Sequence, residues 1–439
     1  MTFERKISRR TLLKLGGVGL AGASLGSAYG QSAGATPAAT PERIRIGMVL
    51  PTTTGVVAVR AATYQLAADA AKAGALMAEE EFGADAEAQG KLLEVRVTTA
   101  PDTEAAIRAA ERLTSVEEVF AFAGGFGQAS VQALSELAAQ RQLPFLNLGS
   151  DADALRGAQC NRYTFHVEAS AAMYLDALTG WFASESYKRW FYVYTDDEAG
   201  RALYARAQAA LAEHGAGSTE VAAVAVDPQA FNYTDATQQI QDSDADVVLL
   251  LLDAVSQLSF MGELENIDLK AQVTGLPDAT AQTRSFLVAA KNGSPKAGIG
   301  YRAALWEARL EANGAARINQ RFRERWGFPM DGPAWAGYQT VKMLYEATKA
   351  TESQEADTVI GYLENPNTTF DLEKGQGTSF RAWDHQLRQP LYMIQVNEKA
   401  ENAFDLANLV ATLPTGGEGD AIARLDTLGD TETDSNCKL

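Results

Sequence analysis

The chain has little of what metal or covalent catalysis requires. Of 439 residues, only three are histidines (His166, His214, His385) and two are cysteines (Cys160, Cys437). The histidines stand in no H-x-E, H-x-x-E or H-x-x-x-H arrangement and the cysteines have no ligand spacing, so no zinc site is expected. No G-x-S-x-G elbow presents a serine nucleophile, and no G-x-x-x-x-G-K-[ST] loop cradles a phosphate. Basic residues are also short, with 38 Lys and Arg against 56 Asp and Glu. The clustered cations that hold nucleic acid or anionic lipid are therefore missing, and nucleic acid is excluded as a partner. Past the amino-terminal segment no run approaches the ~18 apolar residues of a membrane span; the longest strongly apolar stretch, Val247 to Leu252, is strand-sized. The acid runs Glu79-Glu80-Glu81, Asp196-Asp197-Glu198 and Asp242 to Asp246 lack the D-x-[DN]-x-[DN]-G loop of a calcium site and read as solvated helix ends. The expectation is that the chain is not an enzyme and holds neither metal nor cofactor.

What is present begins with Ser8-Arg9-Arg10-Thr11-Leu12-Leu13-Lys14. Paired arginines before an apolar stretch form the twin-arginine export address. Arg5, Lys6, Arg9, Arg10 and Lys14 precede an uncharged segment, Leu15 to Gly30, too weakly apolar to anchor. Residues 1–30 are thus expected to be a signal peptide, cleaved after Gly30 or within Gln31 to Ala39, and the mature protein is expected in the periplasm. That mature chain carries 33 basic and 55 acidic residues, a net charge near −22. In an oxidising compartment Cys160 and Cys437 either pair, tying the tail to the middle of the chain, or remain as one buried thiol and one tail thiol.

From Arg43 onward, apolar strand-like runs alternate with helical patterns, the signature of βαβ units and parallel sheets. Ile44 to Leu50, Leu92 to Thr98, Val119 to Ala123, Pro144 to Leu148 and Arg162 to His166 read as strands of one lobe. A second series supplies Trp190 to Tyr194, Thr219 to Val226, Asp246 to Leu252 and Ala271 to Thr274. The predicted fold class is α/β, with two Rossmann-like lobes built on parallel sheets. Residues 43–167 and 277–352 are assigned to lobe 1, residues 168–276 and 353–399 to lobe 2, and residues 400–439 to an extended tail. Thr378 to Trp383 and Leu391 to Val396 read as a hairpin-like pair. Gly125-Phe126-Gly127-Gln128-Ala129-Ser130 follows a strand and opens a helix. It reads either as a small-ligand loop at a helix amino terminus, with Gln128 and Ser130 presenting polar side chains, or as glycines that only allow a tight turn. A dinucleotide loop needs a glycine where Ser130 stands and comes from the first strand, not the third. His166 either faces a ligand or is a satisfied structural histidine.

Several segments, in order, resemble the extracytoplasmic solute-binding proteins of the leucine/isoleucine/valine type. Ile44 to Gly55 resembles their opening strand and "PLTG" loop, Val119 to Ser130 their glycine-serine ligand loop, and Pro144 to Ser150 their "P-x-I-S-x-A-T" segment. Arg162-Tyr163-Thr164-Phe165-His166 is similar to "Y-x-F-R", and Phe322 to Gly327 with Ala334 to Tyr338 to "F-x-x-R-[FY]-G … A-x-x-[GA]-Y-[DQ]-A". The resemblance implies a monomer of the type I periplasmic binding fold, whose two lobes, joined by three crossings, close on a small molecule and present it to an ABC transporter permease. By position it implies that Thr54, Gly125, Gln128, Ser130, Asn147, Gly149, Ser150 and Asp151 line the first lobe, with Tyr233, Asp253 and Thr274 from the second. Gly149-Ser150-Asp151 replaces the "A-A-T" ending of amino-acid binders, and Ala199-Gly200 stands where many have Tyr-Gly. These departures put an α-amino-acid guest in question and leave a small polar or aromatic molecule. The closing segments Phe380 to Leu387, Pro390 to Tyr392 and Leu425 to Gly429 resemble a branch associated with quinoprotein alcohol oxidation. The alternatives are a ligand-sensing module for a membrane receptor and an exported oxidoreductase.

Overall fold

A computed structural model describes residues 41–52, 59–415 and 419–439. The export segment and Thr54 lie outside the described residues. The first half runs β1 (Glu42–Leu50), α1 (Val59–Ala88), β2 (Lys91–Thr99), α2 (Thr103–Ser115), β3 (Ala121–Phe126), α3 (Gln128–Arg141), β4 (Phe145–Gly149) and β5 (Thr164–His166). Its strands form one parallel sheet in the order β2-β1-β3-β4-β5. Ile44, Ile46, Met48 and Leu50 point to one buried face of β1 and Val49 to the other, because helices cover both sides of the sheet. The order turns back at β1, so loops leaving the carboxyl ends of β1 and β3 diverge and leave a crevice.

The second half repeats the plan with α4 (Ala171–Ser184), β6 (Arg189–Thr195), α5 (Glu198–His214), β7 (Thr219–Val226), α6 (Thr234–Asp242), β8 (Val247–Leu251), α7 (Ala254–Leu264) and β9 (Gln272–Gly275). Its parallel sheet has the order β7-β6-β8-β9. All five residues of β8, Val-Val-Leu-Leu-Leu, are buried, as a central parallel strand requires.

The remainder corrects the expected lobe boundaries. Helix α8 (Arg284–Gly293) and β10 (Tyr301–Ala304) were expected with the first lobe, beyond residue 277. Phe286, Leu287, Ala290 and Ala304 instead share a core with Val193, Val248 and Leu250 of the second half, because α8 continues its strand-helix alternation. The return comes later, through α9 (Ala315–Trp326) and α10 (Gly332–Thr351). Helices α1 and α10 cross at glycines: a Cβ on Gly74 would lie 1.8 Å from the Ala334 carbonyl oxygen, and one on Gly337 2.1 Å from that of Ala71. Only residues without side chains permit that approach.

After α11 (Ala356–Leu363), β11 (Ser379–Phe380) pairs with β12 (Leu387–Arg388), not with β13 (Leu391–Val396) as expected. A turn at Asp384 and His385 (φ 53°), in which Arg381 N–H donates to the Gln386 carbonyl, folds β11 back at once. β13 pairs instead with β10 and with β14 (Ala407–Leu413), so the expected extended tail contributes an antiparallel strand. Its polar composition misled because β14 buries only its two ends. A short helix α12 (Ala421–Leu425) follows. Cys160 and Cys437 form a disulfide, with Cα atoms 5.6 Å apart across 277 residues of sequence. Loop-closure entropy assigns such a bond roughly 5 kcal/mol at most. Among the described residues no helix is long and apolar enough to cross a membrane.

Candidate functional site

At the carboxyl ends of β1, β2 and β3 lies a cavity of about 350 Å³. Val49, Pro51, Tyr64, Pro101 and Phe126 give it apolar walls, and Asp102, Thr103, Gln128 and Ser130 give it polar ones. Three sequence-predicted residues meet here: Gly125, Gln128 and Ser130. Gly125, at φ 73°, turns the strand into α3; a Cβ there would sit 2.8 Å from Val131 Cγ2. Ser130 Oγ lies 3.0 Å from Thr103 Oγ1, linking the first turns of α2 and α3. The two turns differ. Asp102 caps α2 by accepting from Ala105 N–H, whereas α3 starts at Gly127, which brings no side-chain acceptor. The first-turn N–H groups of α3, at the positive end of its dipole, thus face the cavity with no carboxylate cap from the residue that opens the helix.

The residues at the end of β4 and just beyond it divide into three that the fold commits and one that it leaves partly unpartnered. Asn147 is fully buried and committed: its amide donates to the Ser150 carbonyl (2.7 Å) and meets His166 Nδ1 (3.0 Å), while its Oδ1 accepts from Gly149 and Ser150 N–H. Gly149 is required by Phe126, whose ring would lie 2.2 Å from an added Cβ. Ser150 is buried and its Oγ accepts from Ala152 N–H. These three shape the loop instead of offering free groups. Asp151 is different. Its carbonyl accepts from Ala171 N–H at the start of α4, but its buried Oδ2 has no hydrogen-bond partner among the described residues. Burial, then the nearby charge of Asp278, pushes its carboxyl up to about 6 against the pull of Arg156. His166 proves structural: it is buried, its N–H donates to the His385 carbonyl, and burial holds its ring well below the usual histidine range.

Of the second-half candidates, Asp253 stands at the turn from β8 into α7. It caps α7, its Oδ1 accepting from Val255 and Ser256 N–H at 3.0 Å each. Tyr233 lies in the core against Phe260, with its hydroxyl donating to the Ala230 carbonyl. Thr274 is wholly buried within β9. The residue that sequence reasoning missed is Asp278, three positions beyond β9. Its Oδ2 accepts from Ala254 N–H (3.3 Å) and its Oδ1 from Ala281 N–H (2.7 Å). Burial first, with the charge of Asp253 added, pushes it up to about 6. An acid closing Leu276-Pro277-Asp278 after an apolar strand was the available signal.

Beneath these groups a buried polar network joins the segments that run between the halves. Glu168, fully buried, accepts from the Tyr174 hydroxyl (2.5 Å) and from Gln282 Nε2 (3.3 Å), while Gln282 Oε1 accepts from Leu305 N–H. Arg156 Nη2 and Gln386 Nε2 donate to the Glu168 carbonyl. Burial, chiefly, lifts the Glu168 carboxyl to about 8. A lone acid in the apolar run around Val167 marked this position. Among the described residues, no His, Cys, Asp and Glu side chains gather into a metal site.

Residues 43–401 match the periplasmic binding protein family. The chain belongs to that family. No curated protein sequence gives a match. Among solved structures, a branched-chain amino acid ABC transporter periplasmic ligand-binding protein from Burkholderia xenovorans is similar with TM-score 0.76 and 17% identity, covering 90% of this chain and 99% of its own. A solute binding protein of an ABC transporter from R. palustris, solved with benzoate, gives TM-score 0.68 and 14% identity over 90% and 99%. The branched-chain amino acid transporter substrate binding protein of Streptococcus pneumoniae, solved with isoleucine, gives 0.67 and 17% over 84% and 99%. At these identities the likeness is one of fold. As in any parallel α/β sheet, the periplasmic binding fold places ligands beyond the carboxyl ends of its strands, where the cavity, Asp151, Asp253 and Asp278 lie.

Proposed function

We propose that the protein is the extracytoplasmic receptor of an ABC importer, which takes a small polar or aromatic molecule between its two halves and hands it to a membrane permease. The observation that carries this reading is the opposite polarity of the two helix ends that follow equivalent central strands. Helix α3 opens on Gly127, which gives its first-turn donors no side-chain cap, beside Tyr64 and Phe126, while α7 is met by the carboxylates of Asp253 and Asp278. A guest with an acceptor at one end, such as a carboxylate, and a donor at the other, such as an ammonium, amide or hydroxyl, satisfies both. In this reading Gly125, Gln128 and Ser130 frame the acceptor end, and Asp151, Asp253 and Asp278 receive the donor end. Such a guest favours the closed form by touching both halves, which is a population shift.

Relatives solved with isoleucine and with benzoate support guests of this size and polarity. The twin-arginine pattern at residues 8–14 supports export, and a Cys160–Cys437 disulfide suits an oxidising compartment. We take the mature receptor to be a monomer. A thermal-shift screen of the mature protein against amino acids, hydroxy acids, aromatic carboxylates, amides and alcohols, followed by titration calorimetry, tests the reading. A guest with both an acceptor and a donor should raise the melting temperature and bind one to one. Stabilisation by none of these classes would overturn it.

A further inference from the structure

The last residues take a path that touches both halves. Asp426 Oδ1 accepts from Arg381 Nε (3.0 Å) and Arg388 Nε (2.7 Å), and the Leu428 carbonyl accepts from Arg381 Nη2 (2.6 Å). Arg381 is 1% exposed. Both arginines belong to the β11–β12 unit, which rests on the edge of the first-half sheet: Gln386 bridges to His166, and His385 stacks on Phe165 with ring centroids 4.1 Å apart. One residue past Leu428 the chain reaches the second half. Gly429 N–H donates to Asp176 Oδ2 of α4 (2.8 Å), and Arg206 of α5 lies 3.0 Å from that oxygen and 3.8 Å from Asp430. Gly429 is pressed between Met173 of α4 and Arg381: an added Cβ would lie 2.9 Å from Met173 Cγ, 3.3 Å from Arg381 Nη1 and 3.4 Å from Ser170 Oγ. Ser170 is the N-cap of α4, where the chain first enters the second half. Seven residues after Asp430, Cys437 returns to the first half and is bonded to Cys160, in the loop between β4 and β5.

We propose that residues 426–437 form a strap, pinned to the first half at both ends and gripping α4 of the second half between them, that limits how far the two halves swing apart. A tail needed only for stability has no reason to touch both halves at the first crossing. Here Asp176, 3% exposed, spends one carboxylate oxygen on the strap backbone as well as on Arg206. With the Asp426 ion pairs at one end and a covalent bond at the other, the strap cannot slide when α4 moves. The disulfide is the part that makes the restraint permanent, and its loss leaves only the Asp426 end held.

The proposal rests on the receptor reading only in assuming that the halves move, and its test uses the protein without a guest, so the two fail separately. The mature wild-type protein is compared with Cys160→Ser/Cys437→Ser, and with a Cys160→Ser chain ending at Thr427 in case the first variant does not fold. Hydrogen exchange is followed in residues 167–176 and in strands β1, β6 and β8, alongside the radius of gyration from small-angle scattering. We expect exchange in 167–176 to quicken about tenfold with the strands unchanged, and the radius of gyration to rise. Faster exchange confined to residues near 160 and 426–439, or spread evenly over all strands, with an unchanged radius, would overturn the strap. An intact hinge segment in the truncated chain would do so too.

Discussion

Helix α3 follows β3 in the first half as α7 follows β8 in the second, each strand lying one place in from the point where its sheet turns back. The sequences at these two turns diverge: Gly127 opens α3 and Asp253 opens α7. One substitution class at one backbone position therefore inverts the local field. The first half offers donors beside apolar rings, and the second offers carboxylates. Repetition of a fold thus supplies two equivalent helix ends, and the cap residue sets which polarity each presents; in the proposed receptor that difference orients the guest.

The largest expected effect comes where the halves meet. Glu168 is held up to about 8 chiefly by burial, against an unfolded value near 4.5. The folded state therefore binds this proton more tightly than the unfolded chain. Its stability relative to the unfolded state should fall as pH rises from about 4.5 through 8. Asp151 and Asp278, lifted to about 6, add the same sign between about 4 and 6. Glu168→Gln keeps the hydrogen-bonding shape and removes the titration. It should match wild type at pH 4.5 and exceed it by up to about 4 kcal/mol at pH 8 in urea denaturation. A variant that weakens equally at both values would show that the ionised carboxylate is needed between the halves.

Asp278→Ala sharpens the contrast between the helix ends directly. Once the screen has supplied a guest, this change should weaken binding roughly a hundredfold, because a desolvated donor on the guest loses its partner. Asp151→Asn, on the other side, should cost less, since the amide oxygen that replaces the carboxylate still accepts from a donor. Equal losses would mean that the second half holds no special claim on the donor end. For stability without a guest, Asp253→Ala removes the acceptor of two α7 N–H groups and should cost about 1–2 kcal/mol.

How much of this was legible in the sequence follows from what each part depends on. The strands were readable because helices cover both faces of parallel sheets, which makes runs such as Val247 to Leu251 continuously apolar. The glycine loop after β3 was readable because a tight strand-to-helix turn restricts residue type at Gly125. The lobe boundary was not, since α8 and β10 carry the same alternation as the elements on either side and only their shared core assigns them. Tyr233 and Thr274 look polar in sequence, yet the fold spends both in the core. The Glu168 network went unseen because its meaning arises from partners over a hundred positions away, such as Gln282, and Asp278 because it meets Ala254 N–H only once β8 and β9 pair side by side. The tail was misjudged because β14 leaves most of its side chains partly exposed.

The smallest change probes the first half alone. Ser130 and Thr103 share one hydroxyl hydrogen bond across the mouths of α2 and α3. Ser130→Ala removes it and should cost about 0.5–1 kcal/mol in urea denaturation, the worth of a partly exposed neutral pair. Because α3 has no cap to lose, this cost should stay below that of Asp253→Ala, whose carboxylate serves two backbone groups at once. If the serine change proved the more damaging, the mouth of α3 would be held by Ser130 in place of a cap. The first-turn donors would then be fixed by a side chain, and the two helix ends would differ less than their cap residues imply.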